Sequence, residues 1–457
     1  MDPMSPLDAS FLYIENEFNH MHIAVVAILE GPPPPGDEIE KMISSKLDQV
    51  PRYRQRVRFV PFDMGRPVWC DDHHFNLGYH VRHTALPDPG SDHQLRTLVG
   101  RVMSQKLDRS KPLWEVWVVE GLAENRWAIL SKTHHCMVDG VSGSDLLSVL
   151  LDTEENLEYP PSSAWTPEKE PTGLSLLADS IASGFMKPSE GLQNLKKVIG
   201  TPARALRELA DFTDGLSSFR SLGTSGLESS LNGPIGPHRR WCYTSTTIAE
   251  IKKIRAAHGG TVNDVVLSVI AQGFRALLLS RGELVDDLFV RTLVPVSVRR
   301  DDERGTFNNR VAAMFADLPM GITDPVKRLA AIREMMGNLK EHHQADATQT
   351  LSFLTGYTPP ILLAAAARLF AGLDQHAVQT VTTNVPGPRQ PLYAAGRRMI
   401  EAFPFVPLAG SVRIGIAIFS YAGNLAFGVT GDYESAPDID VLSEGIDSGI
   451  KDLIAAS

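Results

Sequence analysis

Cysteine is scarce in this sequence, which has three in 457 residues: Cys70, Cys136 and Cys242. Their wide spacing and odd number argue against a disulfide framework, and no CxxC pair suggests a metal site. Residues 1–17 contain no Lys or Arg, so they lack the basic start of a secretory signal. These absences predict a protein that works in a reducing, cytoplasmic setting.

A long uninterrupted apolar run is also missing. The most apolar stretch, residues 359–373, contains Arg368 and is shorter than the roughly 20 residues that a membrane-spanning helix needs. We therefore predict a protein that is soluble or attached to a membrane surface. This stretch would then form a buried helix or a helix that lies on that surface.

Basic residues do not outnumber acidic ones: the sequence has 44 Lys and Arg and 54 Asp and Glu, which gives a net charge of −10. Nucleic acid is therefore not expected as the main partner, since phosphate binding needs clustered Lys and Arg. One local cluster stands out. Arg52, Arg54, Arg56 and Arg58 alternate along residues 51–59, so a strand there would place all four on one face. Such a face is either solvated or contacts phosphate, a membrane surface or an acidic carrier protein.

The chain is longer than one hydrophobic core usually organises, which predicts two lobes. Strand and helix periodicities alternate on both sides of a segment rich in Pro, Ser and Gly. We predict an α/β fold with a first lobe at 1–152, a helical crossover at 153–237 and a second lobe at 238–457. The predicted elements are strands at 21–29, 114–119, 127–132 and 288–298, helices at 37–49, 94–107, 142–151, 262–278 and 325–342, and a hairpin of 412–421 with 424–430.

The strongest chemical signal is the run His134-His135-Cys136-Met137-Val138-Asp139-Gly140. An apolar strand leads into the two histidines and a predicted helix follows, so the imidazoles lie at a strand end, where pockets of α/β proteins form. A histidine there suits the removal of a proton from an attacking hydroxyl, because its pKa lies near neutrality.

Three other interpretations of this run stay open. A metal could bind His134, His135 and Asp139, although adjacent residues of a strand point to opposite faces. The histidines could also be core residues whose hydrogen bonds are satisfied. Cys136 could be a nucleophile, although nothing around it in the sequence supports this.

The HHxxxDG pattern in this setting resembles the CoA-dependent acyltransferases, the superfamily of chloramphenicol acetyltransferase and condensation domains. Further segments narrow the resemblance to the bacterial wax ester synthase/acyl-CoA:diacylglycerol acyltransferase family, which includes triacylglycerol synthases, over essentially the whole chain. These segments are Pro6-Leu7-Asp8-Ala9-Ser10-Phe11, Pro112-Leu113-Trp114-Glu115, Asn263-Asp264 and Asn384-Val385-Pro386-Gly387-Pro388. The resemblance implies two chloramphenicol acetyltransferase-like lobes with mixed sheets and flanking helices, and an active-site tunnel at their interface.

The resemblance also implies a role for each matching residue of the histidine run. His135 would be the general base, and His134 would be structural or would shape the pocket. Asp139 would pair with a distant arginine, for which Arg299 is the candidate by family position. Gly140 would permit the turn after the histidines.

The other motifs carry roles of the same kind. Pro112-Leu113-Trp114 would lie near the acyl or alcohol site, or would simply fill the core at a strand edge. Asn263 would donate a hydrogen bond to the oxyanion while Asp264 caps its helix, with simple capping by both as the alternative. Thr383 and Asn384 would face the site from the other lobe, and Thr383 stands where related families often have Ser.

The function implied is the transfer of a long-chain acyl group from acyl-CoA to diacylglycerol, or to a long-chain alcohol, in a ternary complex. Acyl-CoA would be a co-substrate, and no cofactor or metal is expected. The protein would be cytoplasmic and peripherally attached to a membrane or lipid droplet. The alternatives are an acyltransferase that takes its acyl group from a carrier protein and a non-catalytic lipid-droplet binding protein.

Overall fold

The structure, a computed structural model, describes residues 2–138, 150–155, 157–160, 165–185, 229–297, 311–354 and 376–457. Within these ranges the chain forms two six-stranded sheets and one small three-stranded sheet. Helices flank the two large sheets, which confirms the predicted two-lobe α/β architecture.

The strands are β1 (Asp2–Pro3), β2 (His22–Glu30), β3 (Gln55–Arg58), β4 (Val68–Asp71), β5 (Val81–Ala85), β6 (Trp114–Leu122), β7 (Arg126–His134), β8 (Arg239–Thr247), β9 (Phe289–Ser297), β10 (Val311–Pro319), β11 (Thr380–Pro386), β12 (Tyr393–Ala394), β13 (Arg397–Phe405), β14 (Ile414–Tyr421) and β15 (Asn424–Asp432). The helices are α1 (Pro6–Ile14), α2 (Gly36–Lys46), α3 (Leu77–His80), α4 (Asp92–Met103), α5 (Gly173–Phe185), α6 (Ile248–His258), α7 (Val262–Ser280), α8 (Pro325–Leu354) and α9 (Ile439–Ala455).

The sheet of the first lobe has the strand order β12-β13-β2-β7-β6-β5. All of its pairings are antiparallel except that of β5 with β6. β7 lies at its centre, and eight of its nine residues are buried, as the apolar run Trp127 to Leu130 indicates. A strand buried on both faces holds its last residues firmly, and in β7 the last residue is His134.

The sheet of the second lobe has the order β10-β9-β11-β14-β15-β8 and mixes parallel with antiparallel pairs. α7 and α9 pack closely against each other, because glycines lie at the point where the two helices cross. A Cβ on Gly273 would lie 2.7 Å from the carbonyl oxygen of Leu442, and one on Gly445 would lie 2.8 Å from the Gly273 Cα. Among the described residues, α7 is long and apolar enough to cross a membrane, but most of it is buried in this core.

One strand that the predicted division assigns to the second lobe lies in the sheet of the first lobe. β12 and β13 belong to the second predicted lobe in sequence, yet β13 pairs with β2 of the first lobe. β15 crosses this segment so closely that a Cβ on Gly428 would lie 1.8 Å from the Pro404 carbonyl oxygen. Trp241 of β8 donates to that same carbonyl at 3.0 Å. The exchanged strand therefore ties the two lobes together.

The predicted arginine face at residues 51–59 is wrong. Pro51–Arg54 forms a 3-10 turn, and the strand begins only at Gln55, so the four guanidinium groups do not share one strand face. Proline at the first position of the turn fixes a helical φ, which overrides the alternating pattern. Each arginine has an acidic neighbour, and the pairs are Arg52–Asp2 at 2.6 Å, Arg54–Asp48 at 2.5 Å, Arg56–Glu170 at 2.5 Å and Arg58–Glu170 at 3.4 Å.

Candidate active site

β7 delivers the two histidines to the end of the first sheet. The backbone N–H of His134 donates to the carbonyl of Leu113 at 2.9 Å, and that of His135 donates to the carbonyl of Met21 at 2.8 Å. A 3-10 turn, His135–Val138, follows immediately. The strand thus ends between its two neighbours, and the turn carries the His135 ring out of the sheet.

His134 is wholly buried beneath this turn. Its Nδ1 accepts the backbone N–H of Cys136 at 3.1 Å, and its Nε2 lies 3.8 Å from Glu15 Oε2. Burial lowers the pKa of His134 well below its ordinary value, so the ring is neutral. A neutral ring that accepts at Nδ1 carries its proton on Nε2, toward the Glu15 carboxylate. His134 therefore supports the turn that holds His135.

His135 is partly exposed, in contrast to its neighbour. Its ring packs against Phe11 of α1 with a centroid distance of 4.0 Å. Its Nδ1 is buried and has no hydrogen-bonding partner among the described residues. Burial lowers the pKa of His135 to about 4, so the imidazole is neutral near pH 7 and has a free lone pair. Such a ring can accept a proton from a bound hydroxyl.

Cys136 does not have the properties of a nucleophile. Its side chain is 1% exposed, and burial raises the pKa of its thiol well above the ordinary value. Only the thiolate attacks, so this cysteine is a core residue. All three cysteines are free thiols. Within the described ranges, no three His, Cys, Asp or Glu side chains are grouped so as to hold a metal ion.

Sequence reasoning missed Glu15, which lies just after α1 and is the charged centre beneath the histidines. Its Oε1 lies 3.1 Å from His22 Nε2, and its Oε2 accepts from Arg109 Nε at 2.8 Å. Burial opposes the charge of Glu15, but the contacts of its carboxylate with His22, His134 and the Arg109 guanidinium outweigh it, so the pKa of Glu15 lies well below its ordinary value. No short-range spacing links Glu15 to His134, so the sequence carries no signal for this contact.

The Pro112-Leu113-Trp114 motif lies beside the end of β7. Trp114 is 1% exposed and stacks between Tyr53, at 4.6 Å, and His80, at 4.5 Å. Its indole N–H donates to the Tyr53 carbonyl at 2.9 Å. Leu113 supplies the carbonyl that fixes His134. These contacts favour the core-filling interpretation of the motif, with an indirect effect on the position of the histidines.

The two asparagines singled out in the sequence meet in the second lobe. Asn384 Nδ2 donates to Asn263 Oδ1 at 3.0 Å, and both side chains are partly exposed. This hydrogen bond uses the oxygen of the Asn263 amide and not its NH2 group. The NH2 group can therefore donate to another acceptor. Asp264 instead forms a capping box with Thr261, whose backbone N–H it accepts at 2.7 Å. Asp264 therefore caps α7, as expected.

The asparagine pair lies near the same core as the histidine turn. Val385, the residue after Asn384, packs against the buried cluster that contains Cys136 and Met137. Gly387 permits this approach, because a Cβ there would lie 2.2 Å from the Ser420 carbonyl oxygen. Thr383 is partly exposed on β11, directly before Asn384. The predicted residues Asp139, Gly140 and Arg299 lie outside the described residues, as do 142–149 of the predicted helix.

The comparison with solved structures concerns the fold. The structure of the wax ester synthase/diacylglycerol acyltransferase from Marinobacter aquaeolei VT8 superimposes with a TM-score of 0.69, covers 99% of each chain and is 24% identical. Trichothecene 15-O-acetyltransferase TRI3 from Fusarium sporotrichioides superimposes with a TM-score of 0.63 at 10% identity, covering 98% of this chain and 94% of that one. At these identities the likeness shows a shared fold and nothing more.

Sequence comparison then narrows the class to one family. Residues 4–266 match the family described as wax ester synthase/diacylglycerol acyltransferase catalytic domain, and residues 307–453 match the WS/DGAT C-terminal domain. The Mycobacterium tuberculosis H37Rv protein described as "Probable diacyglycerol O-acyltransferase tgs1" is 37% identical over 100% of this chain and 96% of its own length. The chain belongs to the wax ester synthase/diacylglycerol acyltransferase family of acyltransferases.

Proposed function

We propose that this enzyme transfers a long-chain acyl group from acyl-CoA to diacylglycerol, with long-chain alcohols as further acceptors. The observation that carries the proposal is His135, a neutral and partly exposed imidazole at the end of a rigid strand, in a chain of this family. The full-length similarity to diacylglycerol acyltransferases favours diacylglycerol as the main acceptor. No metal or other cofactor is expected to take part.

In the proposed mechanism His135 removes the proton from the acceptor hydroxyl. The oxygen attacks the thioester carbonyl, and the tetrahedral intermediate collapses with cleavage of the C–S bond. The protonated imidazole then returns its proton to the departing CoA thiolate. Both substrates are bound together, so no serine or cysteine nucleophile is needed. His134 and Glu15 hold the turn and take no direct part in the proton transfer.

Asn263 is proposed to stabilise the oxyanion of this intermediate. Its carbonyl oxygen already accepts from Asn384 at 3.0 Å, so its NH2 group is held in one orientation. A donor that is fixed before the reaction stabilises developing charge without reorganisation, and loss of one such donor elsewhere costs roughly 10²–10³-fold in rate. Asn384 thus acts as a positioning residue for Asn263.

The test is CoA release by the purified full chain with palmitoyl-CoA, measured in parallel with diacylglycerol and hexadecanol. We expect release with both acceptors and a higher kcat/KM with diacylglycerol. A clear preference for hexadecanol would make the protein a wax ester synthase. If the folded protein releases no CoA with either acceptor, the lipid-binding alternative is favoured. If it transfers the acyl group only from an acyl-carrier protein, the carrier-dependent alternative is favoured.

We also propose that the enzyme attaches to a lipid surface through an apolar patch of four exposed side chains. The patch consists of Phe59 (39% exposed), Phe62 (82%), Met64 (50%) and Leu174 (82%). The two segments that carry it are joined by a small buried cluster of Val60, Val68 and Leu176. Phe62 has a φ of 60°, a costly backbone conformation for a bulky residue, and strained residues of this kind cluster at functional sites.

The patch is tested by vesicle co-sedimentation of the double variant Phe62→Ser and Leu174→Ser. We expect binding to fall by roughly tenfold for each side chain removed, because each buries apolar surface in the lipid. Leu284→Ser is the matched control, since Leu284 is 91% exposed in the second lobe and should not affect binding. Equal loss in the control, or no loss in the double variant, would contradict the proposal.

A further inference from the structure

Helix α1 contains the segment Pro6-Leu7-Asp8-Ala9-Ser10-Phe11, which has no role in the proposed mechanism. The helix begins after Ser5, whose hydroxyl oxygen accepts the backbone N–H of Asp8 at 3.1 Å, and Pro6 occupies its first turn. Its side packs against the 3-10 turn His135–Val138, which carries the proposed base. α1 is therefore part of the wall that surrounds His135.

Phe11 differs from its neighbours in α1 by its exposure. Ala9, Leu12 and Tyr13 are buried in the core of the first lobe, whereas Phe11 is partly exposed. The centroid of its ring lies 4.0 Å from that of the His135 ring, and the two planes are tilted by 36°. His135 is partly exposed as well. Ligand sites combine apolar and aromatic walls with a few polar groups, and this pair has that composition.

Contacts at both ends of α1 fix the position of Phe11. Before the helix, the backbone N–H of Met4 donates to the Pro67 carbonyl at 2.8 Å. After it, the backbone N–H of Glu15 donates to the Phe11 carbonyl at 3.2 Å, and the Glu15 carboxylate accepts from Arg109 Nε at 2.8 Å. A ring on a helix that is held in this way forms a preformed wall, and such a wall can discriminate between ligands by their shape.

The ring lies where the acceptor alcohol has to bind. A general base must come within about 3 Å of the hydroxyl whose proton it removes. The carbon atom that carries this hydroxyl is therefore within reach of a ring that packs on the imidazole. A second observation points to the same substrate, because the Tyr13 ring of α1 lies 6.4 Å from the ring of Phe59 in the proposed lipid-binding patch. α1 thus contacts both the patch and the base.

We propose that Phe11 determines which alcohols the enzyme accepts, by limiting the space beside the carbon atom that carries the hydroxyl. The proposal rests on the proposed function, because it takes His135 as the base that activates an alcohol. Hexadecan-1-ol has an unbranched carbon there, whereas hexadecan-2-ol has an additional methyl group on it. Diacylglycerol with a free terminal hydroxyl carries its branch on the next carbon. One methylene group in an apolar pocket changes specificity roughly 10–200-fold, so one aromatic ring is sufficient to decide between such acceptors.

The experiment measures kcat/KM with palmitoyl-CoA and these three acceptors. Phe11→Leu removes the ring but stays apolar, and it should raise the ratio of kcat/KM for hexadecan-2-ol to that for hexadecan-1-ol about tenfold. Phe11→Trp should lower this ratio, and the ratio of diacylglycerol to hexadecan-1-ol should follow in both variants. Phe289→Leu is the matched control. Phe289 is 58% exposed at the start of β9, and its substitution should leave both ratios unchanged.

The ratio between acceptors separates selection from a structural role. A residue that only supports the fold or orients the base would affect all acceptors equally, so an equal loss, or no change, would overturn the assignment of Phe11. A shift in preference between palmitoyl-CoA and octanoyl-CoA, with unchanged acceptor ratios, would place the ring beside the donor chain and would also overturn it. Thermal unfolding shows which variants are folded, and Phe11→Leu remains decisive if the larger tryptophan prevents folding.

The wild type distinguishes this proposal from the proposed function. If the folded wild type releases no CoA with any of the three acceptors, the function itself is contradicted, and the selection by Phe11 with it. If the wild type is active and Phe11→Leu leaves the acceptor ratios at their wild-type values, the function stands and only the role of Phe11 is refuted.

Discussion

His135→Ala should lower CoA release by roughly 10²–10⁴-fold, the range that a positioned general base contributes. The imidazole is neutral at pH 7 and partly exposed, and no other histidine of the HHxxxDG motif is accessible to substrate, because His134 is buried and holds the turn. The loss should appear in kcat and kcat/KM alike, since the proton is transferred only in the transition state. Steady-state release of CoA with palmitoyl-CoA and the better acceptor measures it.

Two observations separate catalysis from folding in this variant. The His135 ring packs against Phe11, and its Nδ1 has no hydrogen-bonding partner among the described residues, so its truncation should leave the protein folded. His135→Gln keeps polarity and much of the size but cannot act as a base, and it should be about as inactive as the alanine variant. Wild-type-like turnover by either folded variant would refute the mechanism.

Glu15→Gln should destabilise the protein by about 3 kcal/mol, near the lower end of the cost of breaking a buried ion pair. The Glu15 side chain is 4% exposed and contacts Arg109 and His22, while Arg109 is 37% exposed and can regain some hydration. Glutamine fills the same space but removes the negative charge that pairs with Arg109. Urea unfolding of both proteins at pH 7 gives the difference in the free energy of unfolding.

Asp37→Asn is the matched control for this measurement. Asp37 pairs with Lys41 at 2.6 Å, but both side chains are more than 60% exposed, and such a pair contributes at most about 1 kcal/mol. Equal destabilisation by the two substitutions would show that burial of Glu15 is unimportant. Glu15→Gln should also slow turnover below the temperature at which it unfolds, because His134 and the turn lose their partner. A destabilised variant with normal turnover would limit Glu15 to a purely structural role.

The elements with a clear period were predictable from the sequence. The strands at 21–29, 127–132 and 288–298 and the helix at 262–278 are confirmed, with ends that differ by a few residues. These segments have strong apolar patterns, and the helix begins at a capping box that Thr261 and Asp264 form locally. Local interactions are sufficient to define such elements, so a single sequence reveals them.

The prediction of a strand at 51–59 was wrong, because alternation of residue types is not enough to define a strand. Four arginines in alternation give the right pattern, but Pro51 starts a 3-10 turn, and Arg54 is buried against Asp48. The pairing of β13 with β2 could not be predicted either, because the strand order of a sheet depends on contacts between distant segments.

By itself, the sequence determined the α/β class, the strand that ends in two histidines, and the family to which the chain belongs. The tertiary structure alone decided which groups share a site. It brought Glu15 beneath His134 and joined Asn384 to Asn263. The physical reason is the range of the interactions. Periodicity and capping act over a few residues, whereas buried charge pairs and contacts between side chains far apart in the sequence arise only when distant segments pack together.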